Sequence, residues 1–425
     1  MTPSSNSLVP GTEPQSVAVV GAGMVGLATA WFLQEHGVAV TVFDRTGVAA
    51  GSSWGNAGWL TPGIATPLPE PAVLKYGLRA VLSPSSPVYV PANSNPRLLA
   101  FLTRFARNST AKHWRQAMDA LVPVNRRSLA AFDVLTEGGV PAPTHEAKAF
   151  LAAYRTEAER EVLLDEIRQI HTAGQGIEFD VLTGAEAREI EPSLSEQIGA
   201  AICLHDQRFV NPGEFVHALA DAVCARGGQI VIGAAVSDVR DTGSGVQVVT
   251  ASSREPQHFD AVVLATGSWL GELARRFGVH TIVQAGRGYS FSVPIEHLPS
   301  SPVYFPAQRV ACTPIGDRLR VAGMMEFRAP DAPLDPRRIQ AIVAAGRPLL
   351  RGADFDARSD EWVGARPCTP DGLPVIGRTR SPRVFAAGGH GMWGITLGPV
   401  TGQLLAEAIT TGVSPAELRP FDPLR

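Results

Sequence analysis

The feature that most constrains this chain is a glycine pattern near its start, Gly21-Ala-Gly23-Met-Val-Gly26, set between an apolar run and a helical pattern. Val17-Ala-Val-Val20 reads as a buried parallel strand, because consecutive apolar residues leave no polar face for solvent. Residues 24–36 read as a helix stopped by Gly37, and residues 38–43 as a second strand ending at Asp44. In a strand–helix–strand unit this short, Gly21 permits the tight turn. Gly23 lets the main chain approach a pyrophosphate, and Gly26 lets the helix lie close on the strand. The helix N-terminus offers N–H groups and a positive dipole end to phosphates. Asp44 stands where a carboxylate accepts a hydrogen bond from a ribose hydroxyl. This pattern predicts a dinucleotide cofactor without separating a flavin from a nicotinamide one.

The rest of the chain is arranged around that unit. Residues 46–96 are rich in Gly, Ser and Pro, and such long irregular stretches in compact proteins are usually functional. Residues 97–190 read as mostly helical, with core stripes at Leu129, Phe132 and Leu135 and at Leu163, Leu164, Ile167 and Ile170. A further helix marked by Phe215, Val216, Leu219 and Val223 leads to strands at 229–232, 245–251 and 259–265. Residues 281–330 alternate apolar and polar positions between turns, which predicts antiparallel strands. A last strand at 384–387 runs into a glycine-rich stretch and a helix to about residue 411. The expected fold is therefore α/β plus α+β. A discontinuous Rossmann-like domain takes residues 16–95, 207–280 and 361–425. An inserted antiparallel-sheet substrate domain takes residues 96–206 and 281–360. Residues 1–15, polar and rich in Pro and Ser, are expected to form a disordered tail.

Composition narrows the function classes. Hydrophobic residues make up 45% and charged residues 18% of 425, which excludes wholesale disorder. A net charge of −3 with no run of like charges argues against a nucleic-acid binder. Cys203, Cys224, Cys312 and Cys368 form no C-x-x-C pair and have no histidine cluster beside them. That predicts reduced thiols in a cytoplasmic protein with no metal site. The N-terminus lacks the basic start and apolar middle of a signal peptide. Residues 17–33 carry no charge, but Gly21, Gly23 and Gly26 break them, so they read as a strand and helix rather than a membrane span.

Two further glycine-rich segments favour a flavin. Gly51-Ser-Ser-Trp-Gly-Asn-Ala-Gly58 follows Asp44-Arg45 closely and suits the pyrophosphate, ribitol and ring of a larger cofactor, although a surface loop has the same composition. Gly388-Gly-His-Gly-Met-Trp-Gly-Ile-Thr-Leu-Gly-Pro-Val-Thr-Gly402 joins a strand to a helix. Its N–H groups are suited to stabilise negative charge on a reduced flavin near N1 and the C2 carbonyl.

With Gly286-Arg-Gly-Tyr-Ser290, Ala365-Arg-Pro-Cys-Thr-Pro-Asp-Gly372 and Gly389-His-Gly-Met-Trp-Gly394 added, the chain resembles the D-amino-acid-oxidase-like superfamily of FAD enzymes. Within it, the chain looks most like bacterial FAD-dependent D-amino-acid dehydrogenases. Phe209-Val-Asn-Pro212 is similar to a further family stretch, and the matches run in family order over about residues 17–411. The resemblance implies FAD with its ADP part on Gly21, Gly23, Gly26, Asp44 and Arg45. It implies main-chain contacts near Ala235-Val236 and at Gly267. The ring would lie between the loop of Gly51, Ser52, Ser53, Asn56, Ala57 and Gly58 and the segment of Gly389, His390, Gly391, Gly394 and Thr396. Relatives that attach FAD covalently carry a cysteine where Gly364 stands here, so noncovalent FAD is expected.

The resemblance also implies that Arg366 binds a substrate carboxylate, which a planar guanidinium can do through two parallel hydrogen bonds. The competing reading of Arg366 is a salt bridge to Asp371 or Glu361. Arg287 stands where relatives often carry Lys, and it either binds carboxylate or is structural. Tyr289 either donates to the substrate or packs in the core. His390 lies in the flavin-binding turn, where a structural or flavin-contacting role is favoured over proton abstraction. Trp393 either narrows the site toward small or cyclic substrates or packs in the core.

The implied activity is oxidation of a D-amino acid, or of a cyclic or secondary relative such as D-proline or hydroxyproline, to the imino acid. Oxygen, a quinone or another acceptor would take the electrons. A glycine- or sarcosine-type amine oxidase and a 2-hydroxy-acid oxidase are the alternatives, with a non-catalytic flavoprotein or an NAD-dependent enzyme further off. Residues 64–102 are read mainly as inner packing, with peripheral contact at the inner membrane face as the other reading.

Overall fold

Consecutive buried apolar residues place the strand Ser16–Val20 in the middle of a parallel sheet, where both faces are covered. The structure is a computed structural model and describes residues 14–71, 88–90, 95–253 and 255–425. Ser16–Val20 pairs in parallel with Ala39–Asp44 on one side and Ala261–Leu264 on the other. The sheet continues to Gln229–Ile232 at one edge and through Val384–Gly388 to Val375–Arg378 at the other. Only the pairing of these last two is antiparallel. The parallel strands end along one edge, which brings Gly21, Asp44 and the segments after Leu264 and Gly388 to a common crevice.

The helix Met24–Glu35 is buried almost all round. It is covered by the C-terminal helix Gly394–Thr411 and flanked by Pro212–Ala225. The C-terminal helix approaches closely because its glycines Gly398 and Gly402 face the first helix. A Cβ at Gly402 would lie 2.6 Å from the carbonyl carbon of Ala28. The helix Ala111–Glu137, which lies within residues expected to belong to the substrate domain, packs on Gly394–Thr411 and adds Leu121, Val124, Phe132 and Leu135 to this core.

The second body is a nine-stranded sheet. Its order is Ser359–Cys368, Gln284–Val293, Arg318–Phe327, Val310–Ile315, Val303–Phe305, Phe150–Tyr154, Ala200–Leu204 and Phe179–Thr183, with Val88–Tyr89 beside Arg318–Phe327. Most pairings are antiparallel, including all those among residues 284–327, as the alternation there predicts. A small sheet of Val236–Asp241, Val246–Thr250 and Gln257–Phe259 sits beside the nucleotide-type sheet.

The structure differs from the sequence reading at three places. Residues 97–190 are mostly helical, but Phe150–Tyr154 and Phe179–Thr183 among them are strands of the large sheet. A continuous apolar run such as Phe-Leu-Ala-Ala-Tyr has no period that separates strand from helix. Residues 361–368, expected with the cofactor domain, lie in an edge strand paired to Gln284–Val293. The tail expected at 1–15 lies outside the described residues except Pro14 and Gln15, and Gln15 donates its N–H to Asp260 at 2.9 Å. Much of the stretch expected to pack or touch a membrane, 64–102, is likewise outside them. Among the described residues no helix is long and apolar enough to cross a membrane.

The close approach at Gly402 is testable. Gly402→Val should cost about 1–3 kcal/mol through overpacking of the two helices. The check is the urea midpoint of unfolding, and a midpoint equal to that of the parent protein would refute the tight contact.

Candidate active site

Two cavities open where the sheets meet. The first, of about 540 Å³, follows the crevice at the strand ends. Gly21 takes φ +117°, and a Cβ there would clash with the Ala265 carbonyl. The bare main chain of Gly21 and Gly23 lines the cleft, and Met24 N donates to Ser53 Oγ at 3.2 Å, locking the second loop onto the first. Asp44 accepts from Ala22 N at 2.9 Å through Oδ2, and from Thr46 N at 2.8 Å and Gly47 N at 3.0 Å through Oδ1. Oδ1 also accepts from the Thr46 hydroxyl at 3.2 Å, so the spare acceptor capacity of Asp44 at the cleft is on Oδ2. Arg45 closes the rim, its guanidinium 3.7 Å over the Trp269 ring and 3.1 Å from Asp331. The buried Thr266 Oγ1 on the cleft wall has no hydrogen-bond partner. A glycine-lined groove with an orphaned hydroxyl and a carboxylate at a strand end fits a dinucleotide.

The second cavity, of about 520 Å³, is a chamber beneath the large sheet, walled by Trp59, Tyr304, Met324, Met325 and Trp393 among others. Asn56, Arg366 and Met392 line both cavities, so these three mark the junction. The Arg366 Nη1 donates to the Met324 carbonyl at 2.7 Å. Burial pulls its pKa below the ordinary arginine value, and it stays charged. Asp371 is bound to Arg425 and Glu361 to Arg358, so neither expected salt bridge to Arg366 forms. Among the described residues no carboxylate pairs with Arg366 at all.

Residues 16–408 match the family model described as FAD dependent oxidoreductase. The chain belongs to this FAD-dependent oxidoreductase family. It is 30% identical over 403 residues to the D-amino acid dehydrogenase of Methylobacterium radiotolerans, covering 93% of this chain and 95% of that one. Its fold matches glycine oxidase from Geobacillus kaustophilus with a TM-score of 0.76 at 24% identity, over 97% of this chain and 98% of the other. It also matches L-proline dehydrogenase from P. horikoshii at 0.71 and 19%, with the same coverage. FAD is the cofactor of this oxidoreductase, and the cleft fits it.

The structure distributes the expected residues unevenly in this FAD-dependent oxidoreductase. Gly51, Ser52, Ser53, Asn56, Val236, Gly267, His390, Gly391 and Gly394 line the cleft with Gly21, Gly23, Asp44 and Arg45. Ala57 and Thr396 line the chamber instead, and Thr396 Oγ1 donates to the Trp59 carbonyl at 2.9 Å. Gly26, inside the helix Met24–Glu35, and Gly58 and Gly389, in loops, line neither cavity. A side chain at Gly364, where some relatives carry the flavin-linking cysteine, would run into the Trp362 indole. Trp393 donates its indole N–H to the Thr66 carbonyl at 2.7 Å and forms a chamber wall.

Arg287 and Tyr289 need correction as site residues. Side chains alternate along the strand Gln284–Val293. Gly288 lies under the Arg366 guanidinium, and Ser290 Oγ donates to the Gly55 carbonyl at 2.8 Å, so the even positions face the cofactor side. Arg287 and Tyr289 face the other way. The first is 3.3 Å from Glu326 and the second donates its hydroxyl to the same carboxylate at 2.7 Å. Both are buried and line neither cavity.

Sequence reasoning missed Glu70, Glu166, Tyr304 and Arg309, which line the chamber. A signal existed for one of them, since Glu166 stands one turn after Leu163 on the apolar face of the helix Glu157–Thr172.

His390 is 3% exposed, its Nε2 is 2.9 Å from Thr401 Oγ1, and burial pushes its pKa down to about 4. The ring is therefore neutral at working pH. Because the folded-state pKa is depressed, the unfolded chain binds more protons between about pH 6.5 and 4. Stability is full above that window and falls by roughly 3 kcal/mol as pH drops through it. His390→Gln should remove this slope in denaturant titrations at several pH values. An unchanged slope would show that His390 is not the group responsible. Acid precipitation should leave the yellow flavin in the supernatant; flavin in the pellet would mean a covalent link.

Proposed function

We propose that this enzyme oxidises a D-amino acid, or a cyclic or secondary relative such as D-proline or hydroxyproline, to the imino acid. The observation that carries this reading is the Arg366 guanidinium, charged, desolvated and without a carboxylate, at the junction of cofactor cleft and chamber. A buried cation with no partner is costly, so its position favours an anionic ligand. The relative named D-amino acid dehydrogenase supports the same substrate class.

The chemistry that bound FAD supplies is acceptance of a hydride at N5. Arg366 would hold the substrate carboxylate in two parallel hydrogen bonds and so aim Cα–H toward the cleft. Hydride leaves Cα with its electron pair, the amine lone pair closes the C=N bond, and an N–H proton passes to solvent. Water then hydrolyses the imine. No side-chain base at Cα is required if the amine enters neutral, which agrees with a neutral His390 engaged by Thr401. Trp59, Trp393 and Tyr304 would exclude water from the reacting carbon. The electrons then pass to oxygen, a quinone or another acceptor.

Arg366→Ala should lower kcat/KM by at least about 30-fold, the kinetic equivalent of losing about 2 kcal/mol from one buried charged pair. Anaerobic mixing of the yellow enzyme with D- and L-amino acids, D-proline, glycine, sarcosine and 2-hydroxy acids checks the substrate class. Bleaching by the D-series supports the reading; bleaching only by glycine, sarcosine or a 2-hydroxy acid replaces it. The rate of recolouring in air separates an oxidase from a dehydrogenase.

A further inference from the structure

The reaction above uses the junction of chamber and cleft. Glu70, Glu166, Tyr304 and Arg309 line the chamber and not the cleft. Glu166 accepts from Thr66 Oγ1 at 3.3 Å, and the Thr66 carbonyl in turn holds the Trp393 indole at 2.7 Å. The cluster is thus tied through one residue to the wall of the reacting end. Arg309 enters from the turn before Val310–Ile315, at a left-handed residue with φ +56°, and hydrogen-bonds Tyr304. The Tyr304 ring packs edge-on against Trp59 with centroids 5.1 Å apart.

Neither carboxylate has an ion-pair partner within 4.0 Å among the described residues. Both are half-buried, so each keeps acceptor capacity toward the chamber it lines. Burial raises both carboxyls, and the charge of Glu166 helps to push Glu70 up to about 7. The cluster places carboxyl acceptors beside the donors of the Arg309 guanidinium and the Tyr304 hydroxyl. A hydroxyl suits such a mixed set, because it can donate to a carboxyl oxygen while accepting from the guanidinium, whereas an ionised end group of either sign would meet a like charge. In the same chamber, Arg366 has no carboxylate partner among the described residues and remains available for the substrate carboxylate.

We propose that Glu70, Glu166, Tyr304 and Arg309 form a subsite for a hydroxyl on the substrate's side chain or ring. The chamber then selects a hydroxylated amino or imino acid over its deoxy counterpart. This rests on the amino-acid reading above for the other end of the ligand.

The test reads binding first, with carboxylates that lack the amine and cannot be oxidised. Cyclopentanecarboxylate and 3-hydroxycyclopentanecarboxylate are titrated into the FAD-loaded enzyme by calorimetry. The hydroxylated ligand should bind about tenfold tighter or better, the effect of a hydrogen bond to a charged group. Arg309→Met should bring the ratio below about twofold, and Tyr304→Phe should reduce it part of the way, in variants that retain wild-type flavin content. The kcat/KM ratio of 4-hydroxy-D-proline to D-proline should follow the same order. Equal affinities in the wild type, or tighter binding of 3-aminocyclopentanecarboxylate than of the hydroxylated ligand, would overturn the proposal. A clear binding ratio with no flavin reduction by any amino acid would keep the subsite and remove the amino-acid reading. Reduction by D-proline without the binding ratio would do the reverse.

Discussion

A cation held without a counter-ion organises the working face of this molecule. Arg366 reaches the junction of two cavities because the strand that carries it lies beside Gln284–Val293, whose Gly288 leaves space for the guanidinium. Its structural bond is to one carbonyl, that of Met324. On the opposite face of the same sheet the charges are arranged differently. Glu326 is fully buried and lies 3.3 Å from Arg287, 3.5 Å from Arg328 and 3.8 Å from Arg338, and it also accepts from the Tyr289 hydroxyl. On the back, three arginines share one buried carboxylate; on the front, Arg366 has no carboxylate partner among the described residues. Pleat parity decides which arginine serves which purpose.

The cofactor cleft depends on a second constraint, the alignment of parallel strand ends. Gly21, Asp44 and the segment after Leu264 are far apart in sequence but share one edge of the sheet. The inserted sheet supplies the remaining wall through Val363 to Pro367. Ser52 and Ser268 both donate to the Ala365 carbonyl and so clamp that wall to the nucleotide side. The residue next to this clamp is Arg366, which lines both the cleft and the chamber.

The nucleotide half was legible in the sequence because its signals are local. A strand, three glycines and an acid within one strand–helix–strand unit leave few conformations, and the structure realises that unit as Ser16–Val20, Met24–Glu35 and Ala39–Asp44. The alternation of residues 281–330 likewise predicted the antiparallel strands. The strand Phe150–Tyr154 was not legible, since five buried apolar residues carry no period. The edge strand Ser359–Cys368 was assigned to the wrong body for a related reason: its partner lies some 75 residues earlier in the chain.

The sequence by itself determined the cofactor groove and the family, because their motifs are runs of residues close together along the chain. Tertiary structure alone decided that Arg287 and Tyr289 turn away from the site, since one step of strand parity exchanges the two faces of a sheet. It alone brought Glu70, Glu166, Tyr304 and Arg309 together on the chamber wall, from a loop, a helix, a strand and a turn. Their chemistry arises from shared burial and mutual charge. Those quantities exist only once distant segments have packed.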